Sequence, residues 1–191
     1  MVKYLYLTKR EWVLPWVLGG KVPISPASAY FSDNRLGIFT PDENLIHESP
    51  VDISGLKSHG IHIENCRNIT MTNCSANGVT IPDFHNANYY SEDGLILSFC
   101  NKKSIHISRK LGKQACVAVY DVNVLKTIID RQLGVVGRAG ECTYTAGHQR
   151  NHFLKSTEDE WQSEYRIFWP LTDRSIVELP PKMARSIKMK P

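Results

Sequence analysis

The stretch STEDEWQSEYRIFWPL, Ser156 to Leu171, holds two structural signals back to back. Thr157 stands three residues ahead of Glu160, the spacing of a capping box, in which each side chain satisfies the other's free backbone N–H at a helix start. From Tyr165 onward the run is rich in the aromatic and β-branched residues that suit a pleated, half-buried strand. At the join, Gln162, Glu164 and Arg166 fall two apart. Residues two apart on a strand share a face. The pattern therefore predicts a strand with those three polar groups on one side and Trp161, Ser163, Tyr165 and Ile167 on the other. A carboxylate between an amide and a guanidinium is either an exposed pair on an edge strand, worth little to stability, or part of the lining of a cleft.

Outward from this stretch, short strand patterns alternate with turns. "KYLYLT", Lys3 to Thr8, alternates and reads as a strand. Thr8, three ahead of Glu11, predicts a second capping box and a short helix through Trp12, Val13, Trp16 and Val17. Gly19-Gly20 closes that helix, and Pro15 is tolerated in its first turns. "KVPIS", Lys21 to Ser25, is a strand candidate, and the Pro, Ser and Asp content from Ser25 to Asp52 reads as loop and turn. "GIHIENCRNITMTNCSANGVTI", Gly60 to Ile81, resembles one rung of a parallel β-helix. A solenoid needs several rungs to bury a core, so two or three short strands within another fold are expected there.

"DGLILSFCN", Asp93 to Asn101, and "QACVAVYD", Gln114 to Asp121, read as buried strands. Asp121 caps a helix with apolar Val124, Leu125, Ile128 and Ile129, ended by Gly134. "VVG" and "CTYT" follow as strands, and "SIVELP", Ser175 to Pro180, is the last. Residues 182–191 are expected to form an exposed tail. The fold class is α+β: a single domain over 1–191, strand-rich, with a few short helices.

Composition supports one globular domain: 191 residues, 42% hydrophobic and 22% charged, with net charge +4. That mild excess permits contact with nucleic acid without requiring it. The basic groups Lys102-Lys103, Arg109-Lys110 with Lys113, and Lys182, Arg185, Lys188 and Lys190 are scattered along the chain. Each reads as solvated surface rather than a phosphate track. Five cysteines, with no CxxC pair and no secretory signal, predict reduced thiols and a cytoplasmic location. No apolar run reaches the ~20 residues of a membrane helix.

Neither phosphate-cradling glycine motif occurs, and there is no G-x-S-x-G elbow. His148 and His152 lie four apart, but Gln149 stands where a zinc protease needs glutamate. His59, His62, Cys66 and Cys74 match no standard zinc spacing, so no metal is expected.

The Gln162-Ser-Glu164 triplet resembles the Q/E-x-E signature of ADP-ribosyltransferases, in which the second acid is catalytic. That superfamily carries an early strand with an Arg, His or Tyr, a middle strand with a Ser or Tyr, and the late glutamate. "KYLYLT", "LSFC" around Ser98 and Glu164 stand in that order. The resemblance implies two packed, mostly antiparallel sheets and NAD as substrate. It implies Glu164 beside the ribose, Gln162 toward the acceptor, Ser98 supporting the glutamate or the ribose, and Tyr4 or Tyr6 contacting nicotinamide or ribose. Phe99 is a candidate stacking face, although alternation sets it opposite Ser98 and equally suits it to the core. The implied activity is mono-ADP-ribosylation of a nucleic acid or protein, of toxin or phage-conflict type, with an antitoxin or inhibitor as a further partner.

A second resemblance covers most of the chain. An uncharacterised bacterial family opens with a Y-x-Y strand and a short helix, continues through a strand ending S-F-S, and closes with K-x(n)-W-x-x-E-x-R. Here those positions read Tyr4-Leu-Tyr6, then "ILSFC", then Lys155, Trp161, Glu164 and Arg166. Cys100 replaces the last serine, and "YFSDN" stands for an F-N-D-P turn. These departures bear on substrate contacts, and they leave two alternatives open: a non-catalytic binding module on the same fold, or an NAD glycohydrolase without acceptor.

Overall fold

The computed structural model describes residues 1–189. In chain order the strands are β1 (Lys3–Leu7), β2 (Gly20–Pro26), β3 (Leu45–Glu48), β4 (Cys66–Met71), β5 (Ser75–Ala76), β6 (Val79–Thr80), β7 (Phe84–Ser91), β8 (Leu95–Cys100), β9 (Ala115–Val119), β10 (Arg138–Glu141), β11 (Thr143–Thr145), β12 (Leu154–Ser156), β13 (Glu164–Trp169), β14 (Ser175–Leu179) and β15 (Ala184–Ile187). The helices are α1 (Leu14–Leu18), α2 (Ile105–Lys110) and α3 (Val122–Leu133). The chain is thus α+β, with mostly antiparallel sheets and few helices.

The main sheet runs β10-β13-β8-β1-β9-β15, with β2 joining β8 and β14 joining β2. Every pairing in it is antiparallel. Alternation divides its residues between two faces. Leu5, Leu7, Leu95, Phe99, Val117, Val119, Tyr165, Ile167 and Trp169 pack with Trp16 of α1, with Val22 and Val177 of the β2–β14 ribbon, and with Val122, Leu125 and Ile129 of α3. The intervening positions, Tyr4, Tyr6, Ser98, Cys100, Cys116, Glu164 and Arg166, belong to the opposite face. That second face carries the polar residues of interest.

Helix α3 forms as its sequence predicts. The Asp121 side chain accepts from Asn123 N–H at 2.9 Å, and Gly134 ends the helix at φ 68. The two expected capping boxes do not form. The N-terminal one gives way to a 3-10 turn, Arg10–Val13, without a side-chain cap. The later helix is also 3-10, Thr157–Gln162, and its cap is Ser156, which accepts from Glu158 N–H at 3.3 Å. "VVG" is not a strand; β10 begins after it, at Arg138. The expected exposed tail is corrected as well. Beyond Pro180-Pro181, Lys182 turns at φ 66 and Ala184–Ile187 pairs with β9, burying Met183 and Ala184. Lys190 and Pro191 lie outside the described residues.

The Gly60–Ile81 region is no solenoid rung. Strands β3, β7 and β4 form an antiparallel three-stranded sheet over Ile53, Leu56, Ile81, Phe84 and Ala87. Between β5 and β6, Asn77 and Gly78 both take positive φ, 50 and 78, as a tight hairpin turn requires.

Gly94 marks the closest approach in the main core. A Cβ there would lie 2.4 Å from Phe168 Cζ and 2.5 Å from the Trp169 carbonyl oxygen. Backbone cannot rotate away as a flexible side chain can. Gly94→Ala is expected to cost about 1–3 kcal/mol as overpacking, which lowers the melting temperature by about 2–4 °C per kcal/mol in a chain of this size. An unchanged thermal melt would show that the strand can shift at no cost.

Candidate functional site

A cavity of about 140 Å³ opens on the second face of the main sheet. Among its lining residues are Tyr6, Ser98, Cys100, Lys113, Lys155, Gln162, Glu164 and Arg166, with Tyr30, Ile38 and Glu43 from the segment between β2 and β3. A cavity near this size admits one benzene-sized ring.

Three strands set its floor. The β13–β8 register puts Glu164 opposite Cys100 and Arg166 opposite Ser98, and β1–β8 puts Tyr4 opposite Cys100. Gln162 does not extend β13 as the two-residue spacing predicts. It ends the 3-10 turn, and Ser163 takes a left-handed conformation at φ 47 before the strand begins at Glu164. A non-glycine residue there is uncommon and costs free energy that its surroundings must offset. Gln162 and Glu164 still converge, because both meet one ammonium. Lys155 Nζ donates to Gln162 Oε1 at 3.0 Å and to Glu164 Oε2 at 2.8 Å.

Around Glu164 runs a chain of alternating charge. Glu43 Oε1 lies 2.8 Å from Arg166 Nη2, and Arg166 Nε lies 3.0 Å from Glu164 Oε1 in an ion-pair contact too oblique for a hydrogen bond. Beyond Lys155, Asp159 follows at 3.7 Å, then Arg35, Asp42 at 3.1 Å and Arg150 at 2.6 Å. Four carboxyl groups alternate with four bases, and burial raises the Glu43 carboxyl against the opposing pull of Arg166 and Lys155. Glu43, Asp159, Glu164, Lys155 and Arg166 are all buried. The chain ties the Arg35–Asp42 segment down over the cavity, and Gln162 Nε2 adds a bond to the Gly37 carbonyl at 3.3 Å.

The electrostatics follow from this packing. Burial pushes the Glu164 carboxyl up, but Arg166 and then Lys155 outweigh it, with a small contribution from the Ser98 hydroxyl. The carboxyl is held down at about 2. Lys155 stays protonated: burial and the Arg166 charge oppose that, and Glu164, Glu43 and Asp159 prevail. Cys100 is pushed up to about 12 by burial and the Glu164 charge, so it offers no thiolate nucleophile. The Tyr6 phenol is also pushed up to about 12 by burial. Its oxygen accepts from Ser104 N–H at 2.7 Å and sits 3.0 Å from the Lys102 carbonyl. That hydroxyl anchors the segment leading into α2.

The structure therefore brings Glu164, Gln162, Ser98 and Tyr6 to one cavity and separates two other candidates from it. Tyr4 is not among the lining residues and packs with the cluster of Tyr6, Cys100, Ile107 and Cys116. Phe99 borders the cavity, but its side chain is packed in the main core at 1% exposure, so it supplies no stacking face. Gln162 has both ends of its amide engaged and serves the closed segment rather than an acceptor. Glu43, Tyr30 and Tyr144 carry no signal in the sequence, and Lys113, which reads there as solvated surface, is half-buried in the cavity lining; Tyr144 Oη accepts from Glu164 N–H at 2.9 Å.

Two buried histidines flank the network. His152 stacks on Phe168 at 3.8 Å, and His47 lies 4.7 Å from the His148 ring. Burial lowers both from 6.5 to about 4. As pH falls from 6.5 toward 4, the unfolded chain takes up these protons before the folded one, so stability falls across that window. Glu164 acts lower: its stability is complete above its ordinary 4.5 and is lost as pH falls toward its folded value near 2. Thermal melts should show the first decline between pH 6.5 and 4, and His47→Phe should remove about half of that slope. An unchanged slope would mean that His47 charges freely in the folded protein.

Among the described residues, no group of three or more His, Cys, Asp or Glu is arranged to hold a metal ion, and no helix is long and apolar enough to cross a membrane. Fold and site together define an α+β domain with a ring-sized, ion-lined cavity. No protein-family model, curated protein or solved structure matches the chain.

Proposed function

We propose that the cavity receives the nicotinamide-bearing ribose ring of NAD, with the nicotinamide outside its mouth, and that the chain is a mono-ADP-ribosyltransferase. The supporting observation is the meeting of Glu164, Gln162, Ser98 and Tyr6, drawn from three distant parts of the chain, around one hollow of about 140 Å³. The reaction breaks the nicotinamide–ribose bond. The electron pair leaves with the nicotinamide nitrogen, and the oxocarbenium-like ribose carbon bonds to an acceptor nucleophile whose proton passes to solvent, in the manner of glycoside hydrolysis. Glu164, ionised throughout the neutral range, is an acceptor for the ribose 2′-hydroxyl and a stabiliser of the positive ring. Lys155 and Arg166 hold that carboxylate in place, and the remainder of the dinucleotide lies outside so small a hollow. A nucleic acid or protein serves as acceptor.

A second reading has its own observation. Each oxygen of Glu164 already touches a cation, Lys155 or Arg166, which cancels part of the field a cationic ribose would feel. This favours a binding module on the same frame without turnover. Incubation with NAD, with chromatographic detection of free nicotinamide and ligand-observed NMR for binding, separates the two. Release above a Glu164→Gln control supports the transferase, and binding without release supports the module. Neither binding nor release ends the NAD reading.

A further inference from the structure

The charge of this protein is segregated in a way its modest net value hides. Residues 94–120 and 179–191 contain no Asp or Glu, yet they hold nine of the 23 Lys and Arg. The remainder of the chain has more acids than bases. The fold joins these two distant segments. Strand β15 is the last strand of the main sheet, and its Ile187, with Met189, packs against the cluster that holds Ile107 of α2. A groove of about 480 Å³ results, lined by Lys103, Ile105, Arg185, Ile187, Lys188 and Met189. Lys103, Arg185 and Lys188 are exposed, and among the described residues none has a carboxylate partner. Cations rim a strip of half-buried aliphatic side chains.

The groove is also connected to the cavity. Helix α2 is six residues long, about 9 Å at the usual rise per residue. Lys103 and Ile105 stand at its start in the groove, and Leu111 and Lys113 stand past its end in the Glu164 cavity. Lys113 Nζ donates to the Thr8 hydroxyl at 2.9 Å and likewise has no acidic partner among the described residues. Unpaired cations thus mark both ends of one short helix.

We propose that this groove binds the backbone of single-stranded nucleic acid, with bases resting on Ile105, Ile187 and Met189 and the strand leading along α2 toward the cavity. Phosphates supply the missing counter-charges. A single strand can turn its bases to the aliphatic strip, whereas a duplex keeps them stacked inside. The inference concerns binding and does not rest on NAD turnover.

The test is fluorescence anisotropy of a labelled single-stranded oligonucleotide, without NAD. Three phosphate contacts predict binding about twentyfold weaker at 200 mM than at 50 mM salt. The combined variant Lys103→Glu, Arg185→Glu, Lys188→Glu should bind at least about tenfold more weakly and lose most of that salt dependence. These side chains are exposed, so its thermal melt should match the parent. A control with the same charge change on other exposed positions, Lys21→Glu, Lys57→Glu, Arg131→Glu, should bind as the parent does. Four results would overturn the proposal: no binding by the parent, equal loss in the control, tighter binding to a duplex, or binding only to anionic phospholipid vesicles. A variant that aggregates, beside a parent that binds no strand, would mean that these charges only guard an open sheet edge.

Discussion

Under the proposed transferase reading, Glu164→Gln is expected to lower nicotinamide release from NAD by about a hundredfold to a thousandfold, the scale seen when one preorganised partner of a developing charge is removed. The substitution keeps the shape and one acceptor oxygen but removes the negative charge. The loss should fall on kcat, with KM little changed, because the carboxylate's charge matters most when the ribose becomes cationic. The surrounding network makes this reading interpretable. Glu164 is ionised far below neutral pH, so its titration adds no slope to the rate near neutrality, and any inflection there belongs to another group. A general loss of structure would behave differently, lowering the melting temperature and raising KM together. Equal release by parent and variant, with both folded, would remove Glu164 from the chemistry and leave the binding-module reading.

How far the sequence anticipates this site depends on the range of each contact. Strands β8 and β9 were legible as short apolar runs and β13 from its aromatic and β-branched content, since all three are largely buried, and α3 because Asp121 and Gly134 mark both its ends. The convergence of Glu164, Ser98 and Tyr6 was anticipated as an order of elements in the chain. The closure of Gln162 onto the same ammonium was not, since it depends on Ser163 adopting φ 47, which no residue type announces. Lys155 was legible as a cation near acids. Three acids, Glu158, Asp159 and Glu160, follow it within five residues, and it takes Asp159 together with Glu164, nine residues on. Glu43 and Arg35 sit in a stretch that reads only as turn, and their roles exist through contacts more than a hundred residues away. The same holds for the tail. Pro180-Pro181 looks like an ending, but an edge strand follows, and it brings one scattered basic group against another. Local pattern reveals elements, while charge networks and charged faces emerge only when distant elements meet.

That network carries the second large effect. Arg166→Met is expected to destabilise the fold by about 3–5 kcal/mol, because removing one member of a buried ionic set leaves its partners uncompensated. At about 2–4 °C per kcal/mol the melting temperature should fall by roughly 10 °C. Arg166 is 3% exposed and stands between Glu43 and Glu164, so its loss strands two carboxylates at once. The Arg166 Nη1 bond to the His152 carbonyl at 3.2 Å is lost as well. The double variant Arg166→Met with Glu43→Leu removes the base together with the carboxyl that pairs with it, a group whose ionisation burial already opposes. Lys155 remains for Glu164, and Arg35 and Arg150 remain for Asp159 and Asp42, so the residual network stays neutral. Buried pairs replaced by apolar groups of similar size often leave stability unchanged. The double variant should therefore regain more than half of what Arg166→Met loses, and Glu43→Leu alone should be less stable than the double. Urea unfolding of the parent, both single variants and the double closes the cycle. A cost below about 1 kcal/mol for Arg166→Met, the range of solvent-screened pairs, would mean that water reaches these charges and that the Arg35–Asp42 segment does not seal the cavity.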